Sequence, residues 1–174
     1  MIRRKLIAET AASLLNKAGI TEAPVDVERL ARDQGAVIIK EPTDNETSGF
    51  IYQAPGLPPV IGVNASHPPV RMRFTIAHEL GHLLLHSKKE LHIDQSVVRM
   101  RDQRASAGVD DDEMEANRFA AEILIPESFL KSDLTSLGPV SADDGEAVTK
   151  LAKKYLVSVQ AMTIRLTTLN LLDS

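Results

Sequence analysis

Two stretches near the N-terminus carry hydrophobic residues at the spacing of an amphipathic helix. The first, over residues 3–18, places its apolar side chains on one face, namely Ile7, Ala11, Leu14, Leu15 and Ala18. Gly19 follows it, where a helix end is expected. Residues 23–35 predict a second, shorter helix, which has Asp26 near its start and Gly35 near its end.

The chain then changes from the helical period to short runs of β-branched residues. Residues 36–40, 48–53 and 60–64 predict three strands, and the turn-rich run APGLPP joins the second strand to the third. The strand at 60–64 could be an ordinary core strand or an edge strand open to pairing with an extended peptide. The loop ASHPP leads from it into a helix that contains residues 74–86.

The second half of the sequence begins with a long polar connection and continues as helices. Residues 87–112 form this connection, whose length is typical of a functional or mobile segment. Asp110, Asp111 and Asp112 are expected at the N-terminus of the next helix, which Pro126 ends. Further helices are predicted at about 126–134, 144–155 and 158–171. The pattern predicts an α+β fold with a small three-stranded sheet packed on a mainly helical domain.

Composition adds limits to this picture. The 174 residues suit a single domain, 1–174, and the 43% hydrophobic and 25% charged residues are typical of a soluble globular protein. No apolar run approaches the roughly 20 residues of a membrane span, and Glu9 interrupts the only stretch that resembles a signal peptide. The chain has no cysteine, which excludes disulfides and favours a cytoplasmic location. A net charge of −4 argues against a broad nucleic-acid-binding surface.

The segment His78-Glu79-Leu80-Gly81-His82 stands out because it places polar residues in an otherwise apolar helix. Histidines four positions apart lie on one helix face, about one turn apart, so that both imidazoles can reach one metal ion. Glu79 lies beside such an ion and can accept a proton from an attacking water. The pattern therefore predicts a metal site, because buried imidazoles and a buried carboxylate require partners.

A catalytic zinc ion typically has three protein ligands, so a third is expected. His86 fits poorly, because a straight helix curves away from the ion over two turns. Glu113 shares a helix face with small alanines and is therefore favoured, whereas Glu115 shares a face with Arg118 and Glu122 that is expected to face solvent. For Asn117, a hydrogen bond to a ligand histidine and a simple surface position are equally compatible with the pattern.

Other polar residues have less defined roles. Tyr52, His67 and His92 are candidates for a group that stabilises an oxyanion, but spacing selects none of them, and a surface or structural role is favoured for each. His86 is expected to cap the helix C-terminus or to hydrogen-bond a ligand.

The motifs RFTIAHELGHLLLH and EMEANRFAAEILIP together resemble the ImmA/IrrE family of zinc metallo-endopeptidases, a gluzincin-like group. The likeness extends to APVDVERLARDQGAVII and LAKKYLVSVQAMTIRLTTL, and so to nearly the whole chain. It implies a zincin-like domain that binds one Zn²⁺ per chain through His78, His82 and Glu113, with Glu79 as the catalytic residue. It also implies cleavage of a separate helix-turn-helix repressor of the Cro/phage-repressor type, which would derepress mobile-element or stress genes.

One feature supports an alternative, a DNA-binding transcriptional regulator with a non-catalytic metal site. Residues 147–169 have a helix-turn-helix outline within a helical C-terminal part at about 140–174. The second helix offers few side chains for reading bases beyond Gln160 and Arg165. Its apolar residues, Val159 among them, are expected to pack. Direct DNA binding is therefore not expected.

Overall fold

Seven helices and a four-stranded sheet make up the described part of the chain. The computed structural model describes residues 2–44, 46–86, 91–95, 107–137 and 145–172. Its elements are, in chain order, α1 (Arg4–Lys17), α2 (Val27–Asp33), β1 (Val37–Glu41), β2 (Thr47–Tyr52), β3 (Val60–Asn64), α3 (Pro69–Leu85), β4 (Leu91–Gln95), α4 (Ala107–Leu124), α5 (Glu127–Leu137), α6 (Gly145–Tyr155) and α7 (Val159–Thr168). The predicted α+β class, with a small sheet on a mainly helical body, is confirmed.

The sheet has one more strand than the sequence predicted. Its order is β1-β3-β2-β4, in which β3 pairs parallel to β1 and antiparallel to β2, and β2 pairs antiparallel to β4. The strand at 60–64 is therefore central, so that of the two alternatives left open by the sequence the structure shows the ordinary core strand. β4 lies inside the connection predicted at 87–112, of which residues 87–90 and 96–106 lie outside the described part.

Helix α4 begins earlier than the acidic run suggested. It starts at Ala107, so that Asp110, Asp111 and Asp112 lie within the helix rather than at its first residues. Negative charge is favourable throughout the first turn or so of a helix, and an acidic run by itself therefore cannot define the starting residue.

Helix α3 is the central element, because it packs against the sheet on one side and α4 on the other. Pro69 is at its first position, where a missing N–H costs nothing. Ile76, Ala77 and Leu80 are in the core. Gly81 permits a close approach to α4, since a Cβ added there would lie 3.2 Å from the Cα of Ala116. The fold thus holds the predicted metal-binding helix directly against the helix with the candidate glutamates.

The C-terminal helices are attached to this body through buried polar contacts. Arg165 of α7 donates to the carbonyl oxygen of Ile125 at 2.9 Å and pairs with Glu122 of α4. The predicted base-reading side chain Arg165 is therefore buried within the domain. Val159, which the pattern assigned to packing, is exposed. In the part of the chain that the structure describes, every helix is too short or too polar to cross a bilayer.

Candidate metal centre

Four side chains from three elements bring their ligand atoms together. His78 and His82 lie on α3, His92 on β4 and Glu113 on α4, and one ligand atom of each lies within 4.8 Å of the others. The Nε2 atoms of His78 and His82 are 3.1 Å apart, and each is 3.5 Å from a carboxylate oxygen of Glu113. All three histidines are buried. The cluster is therefore a compact set of nitrogen and oxygen donors in the interior.

Asn117 determines which nitrogen of His78 faces the cluster. The Nδ1 of His78 lies 3.0 Å from Oδ1 of Asn117, an oxygen that can only accept a hydrogen bond. His78 Nδ1 therefore carries the proton, and in the neutral ring Nε2 presents a lone pair to the cluster. The structure shows both features that the sequence left open for Asn117, because this residue is exposed and also hydrogen-bonds His78.

Three successive contacts determine in the same way which nitrogen of His82 faces the cluster. The Nδ1 atoms of His82 and His86 are 3.2 Å apart, and His86 Nε2 lies 3.0 Å from Oε2 of Glu115. Because the Glu115 carboxylate only accepts, His86 Nε2 carries a proton and its Nδ1 accepts one from His82. Arg3 closes the chain, since its backbone N–H and its guanidinium both donate to Glu115. His82 consequently also directs an unprotonated Nε2 into the cluster.

These proton positions test whether a metal fits. Two lone pairs that face each other 3.1 Å apart repel unless a cation lies between them. For a zinc ion with bonds of about 2.0–2.2 Å in tetrahedral geometry, the ligand atoms would be about 3.3–3.6 Å apart. The separations of 3.1 Å and 3.5 Å in the cluster are close to these values. The donor set therefore fits a divalent metal ion.

The electrostatics of the cluster favour the forms that bind metals. Burial, together with the nearby His78 and His92, lowers the pKa of His82 from 6.5 to about 2. Burial alone would raise the pKa of Glu113, but its contacts with the imidazoles of His78 and His92 outweigh burial and lower it. At neutral pH the cluster thus combines a neutral imidazole at His82 with an ionised carboxylate at Glu113.

Glu79 is fully buried on α3, one residue after His78. Gly49 of β2 lies close to its carboxylate, because a Cβ added at Gly49 would be 3.8 Å from Glu79 Oε1. The same Cβ would clash with the side chain of Thr75 on α3 and would be 2.7 Å from the carbonyl oxygen of Gly62 on β3. The close approach of β2 to α3 and to β3 therefore requires a glycine at position 49.

Comparison with known proteins agrees with this geometry. Residues 31–167 match the family model described as the IrrE N-terminal-like domain, Peptidase_M78. This chain belongs to that family. The Radiation response metalloprotease IrrE of Deinococcus radiodurans is 34% identical over 108 residues, which are 62% of this chain and 30% of that relative. The chain thus spans under a third of the length of this curated relative.

A solved structure supports the fold of this IrrE N-terminal-like domain. A Mycobacterium tuberculosis transcriptional regulator superposes with a TM-score of 0.63 at 22% identity. The match covers 92% of this chain and 55% of the other. At this identity the likeness concerns the fold alone.

The structure brings together the three residues that the sequence predicted as metal ligands, namely His78, His82 and Glu113. The expectation that Glu115 faces solvent is wrong, because Glu115 is 2% exposed and bound to Arg3 and His86. Helix periodicity could not reveal this, since the residues that cover Glu115 come from distant parts of the sequence. His86 is the C-cap residue of α3 and also hydrogen-bonds a candidate ligand, as predicted.

His92 is the member of the cluster that sequence reasoning did not select. The sequence offers it as one of three candidates for an oxyanion-stabilising group and favours a surface or structural role. The described residues place it in the cluster, whereas Tyr52 and His67 are not part of it. The alternation Leu91-His92-Ile93 predicts an outward-facing histidine, so the sequence carries no local signal that His92 is buried.

Proposed function

We propose that this domain is a zinc-dependent endopeptidase, with His78, His82 and Glu113 as the zinc ligands and Glu79 as the catalytic residue. One observation carries the proposal: the Nε2 atoms of His78 and His82 converge with the Glu113 carboxylate, and the residue that follows His78 on α3 is a fully buried glutamate. Membership of the IrrE N-terminal-like family and the name of the Deinococcus relative, a metalloprotease, support it.

The proposed chemistry is hydrolysis of a peptide bond. Bound by its three ligands, zinc would polarise the scissile carbonyl and lower the pKa of the attacking water. The Glu79 carboxylate accepts a proton from that water as the water oxygen bonds to the carbonyl carbon. Glu79 then donates this proton to the amide nitrogen as the carbon–nitrogen bond breaks, which releases an amine and a carboxyl product. Asn117 and His86 keep the two ligand imidazoles in the required tautomer.

The substrate we propose is a separate helix-turn-helix repressor of the Cro/phage-repressor type. Its cleavage would derepress mobile-element or stress genes. Support comes from the family resemblance of the two central motifs and from the radiation-response name of the Deinococcus relative. Incubation of the purified protein with candidate repressors from the same genome, followed by mass spectrometry of the fragments, tests this part of the proposal.

Metal analysis of the purified protein tests the site itself. We expect about one zinc ion per chain in the wild type and none in His82→Ala, because His82 supplies one of the three donor atoms. Near-ultraviolet circular dichroism of both proteins controls for folding. A folded wild type that holds no metal after zinc is supplied would contradict the proposal.

A further inference from the structure

The edge strand β4 has a hydrophobic pattern opposite to that of an ordinary sheet strand. Leu91 and Ile93 are 54% and 43% exposed, whereas His92 between them is 7% exposed. Residues on one face of a strand are two positions apart, so the inward face of β4 carries an imidazole and the outward face carries aliphatic side chains. Burying a polar ring instead of an available leucine or isoleucine disfavours folding unless the ring has a specific partner.

The partners of His92 are the candidate metal ligands. Its Nε2 lies 3.1 Å from Oε1 of Glu113. Its ring centroid lies 3.8 Å from that of His82 and 6.2 Å from that of His78. His92 therefore lies among the three proposed zinc ligands rather than beside one of them.

A fourth protein ligand changes what the site can do. Structural zinc sites have four protein ligands, whereas catalytic zinc sites have three and leave a position for water or substrate. With His92 bound, the cluster is of the closed kind, whereas the proposed catalytic role of Glu79 requires an open position. The two features are compatible if His92 leaves the metal when substrate arrives.

The sheet offers a physical means for this exchange. β4 is joined to the sheet through β2, with Ile51 opposite His92 and Tyr52 opposite Leu91. If β4 separates, β2 becomes the sheet edge and can pair with an extended peptide through main-chain hydrogen bonds. A substrate segment that pairs with β2 would occupy the position of β4 and so remove His92 from the metal.

We propose that His92 is the fourth metal ligand in the substrate-free protein, and that β4 keeps the site closed until an extended segment of the substrate replaces it beside β2. This inference rests on the proposed function, since it requires metal binding at His78, His82 and Glu113. It adds a resting state in which the peptidase cannot act on peptides that fail to displace β4.

Zinc affinity tests the coordination directly. We expect His92→Ala to bind zinc about tenfold or more weakly than wild type, since even groups that only support a ligand change metal affinity by about 10–100-fold. Ile93→Ala, a change to the exposed neighbour on the same strand, is the matched control and should retain wild-type affinity. Equal zinc affinity in wild type and His92→Ala would overturn the inference.

A second probe reports whether a coordination position is open. Acetohydroxamate binds metals that have free positions, and it alters the visible spectrum of a cobalt-substituted site. We expect His92→Ala to respond at about a tenfold lower acetohydroxamate concentration than wild type or Ile93→Ala, because the departing ligand frees a position. Equal responses would overturn the inference. Unchanged zinc affinity together with lost peptidase activity in His92→Ala would also overturn it, because His92 would then stabilise the transition state and would not be a ligand in the substrate-free protein.

Hydrogen exchange of the wild type avoids dependence on a variant that folds poorly. Zinc should slow exchange of the amides in Leu91–Gln95 by a larger factor than exchange in the β1–β3 ladder, because the metal would hold β4 against β2 in addition to stabilising the whole domain. Slower exchange in α3 without any change in β4 would overturn the inference. A failure of the proposed function itself would be recognised by a different result, namely equal zinc content in the wild type and in His82→Ala.

Discussion

His82 is held at both nitrogens of its ring, and this arrangement depends on residues remote in sequence. Nε2 faces Glu113, while Nδ1 lies 3.2 Å from His86, which in turn binds Glu115. Hydrogen bonds from Arg3 are the main cause that lowers the pKa of Glu115 from 4.5 to about 2. Glu115 is thus ionised at neutral pH, and its negative charge favours the tautomers of His86 and His82 that leave Nε2 of His82 unprotonated.

Replacing Glu115 by Gln is expected to weaken zinc binding by about 10–100-fold, the range for groups that orient a metal ligand. The amide can donate a hydrogen bond to Nε2 of His86. His86 would then carry its proton on Nδ1, and His82 would carry its own on Nε2, the ligand nitrogen. Zinc affinity measured by competition with a chelator tests this. Glu9→Gln, at an exposed glutamate, is the control, and an unchanged affinity in Glu115→Gln would refute the proposed chain.

Replacing Glu79 by Gln is expected to separate metal binding from catalysis. The amide has nearly the same shape but cannot accept the proton of the attacking water, so peptidase activity should fall by at least about 10²–10⁴-fold. Zinc content and thermal stability should stay close to wild type, which excludes a folding defect. Retained cleavage in Glu79→Gln would mean that another residue is the general base.

At the scale of elements, the distance between α3 and α4 decides whether residues distant in sequence can share one ion. The two helices approach closely at Gly81. A Cβ added there would lie 3.2 Å from the Cα of Ala116 and 3.3 Å from its carbonyl oxygen. Glu113 is one turn before Ala116 on α4, and His82 is next to Gly81 on α3. A small residue at one position thus supports the geometry of the metal centre.

Gly81→Ala should therefore destabilise the protein even though alanine favours helix formation. Backbone atoms of α4 cannot rotate away as a side chain can, so we expect a loss of about 1–3 kcal/mol and a weaker zinc affinity. Gly145→Ala is the matched control, because a Cβ added there meets nothing within 4 Å. Chemical denaturation of both variants measures the difference. Equal stabilities would show that the two helices can separate without cost.

For the whole molecule, the candidate metal centre joins α3, α4 and β4, and through them the sheet and the helical body. Its ligand atoms come from residues 78 to 113, so a bound ion would cross-link elements that the unfolded chain holds apart. The N-terminus is connected to the same region, because Arg3 reaches Glu115. Metal binding is therefore expected to be coupled to the stability of the entire domain.

Zinc at 100 times its dissociation constant should stabilise the fold by about 2.7 kcal/mol. For a domain of this size, that corresponds to a rise in Tm of roughly 5–10 °C. Calorimetry with zinc and with a chelator measures the effect, and His82→Ala should show almost none of it. A wild-type Tm that does not respond to zinc would contradict coupling between the metal centre and the fold.

The sequence by itself determined the features that depend on local spacing. Histidines four apart on a helix must share a face, so the pairing of His78 with His82 followed from the motif, and helix periodicity also selected Glu113 over Glu115. The strand at 60–64 was predicted with its observed bounds, since a short β-branched run between turn residues is a local signal.

Only the tertiary structure decided the features that depend on what packs against each element. It added β4, in which His92 faces inward although alternation along a strand normally places the apolar residues inward, and it brought His92 into the cluster. It also buried Glu115, which helix periodicity assigned to solvent, because Arg3 and His86 meet it across the fold. Spacing along one helix fixes which residues share a face, but contacts between elements decide which face is covered and what a polar side chain binds there.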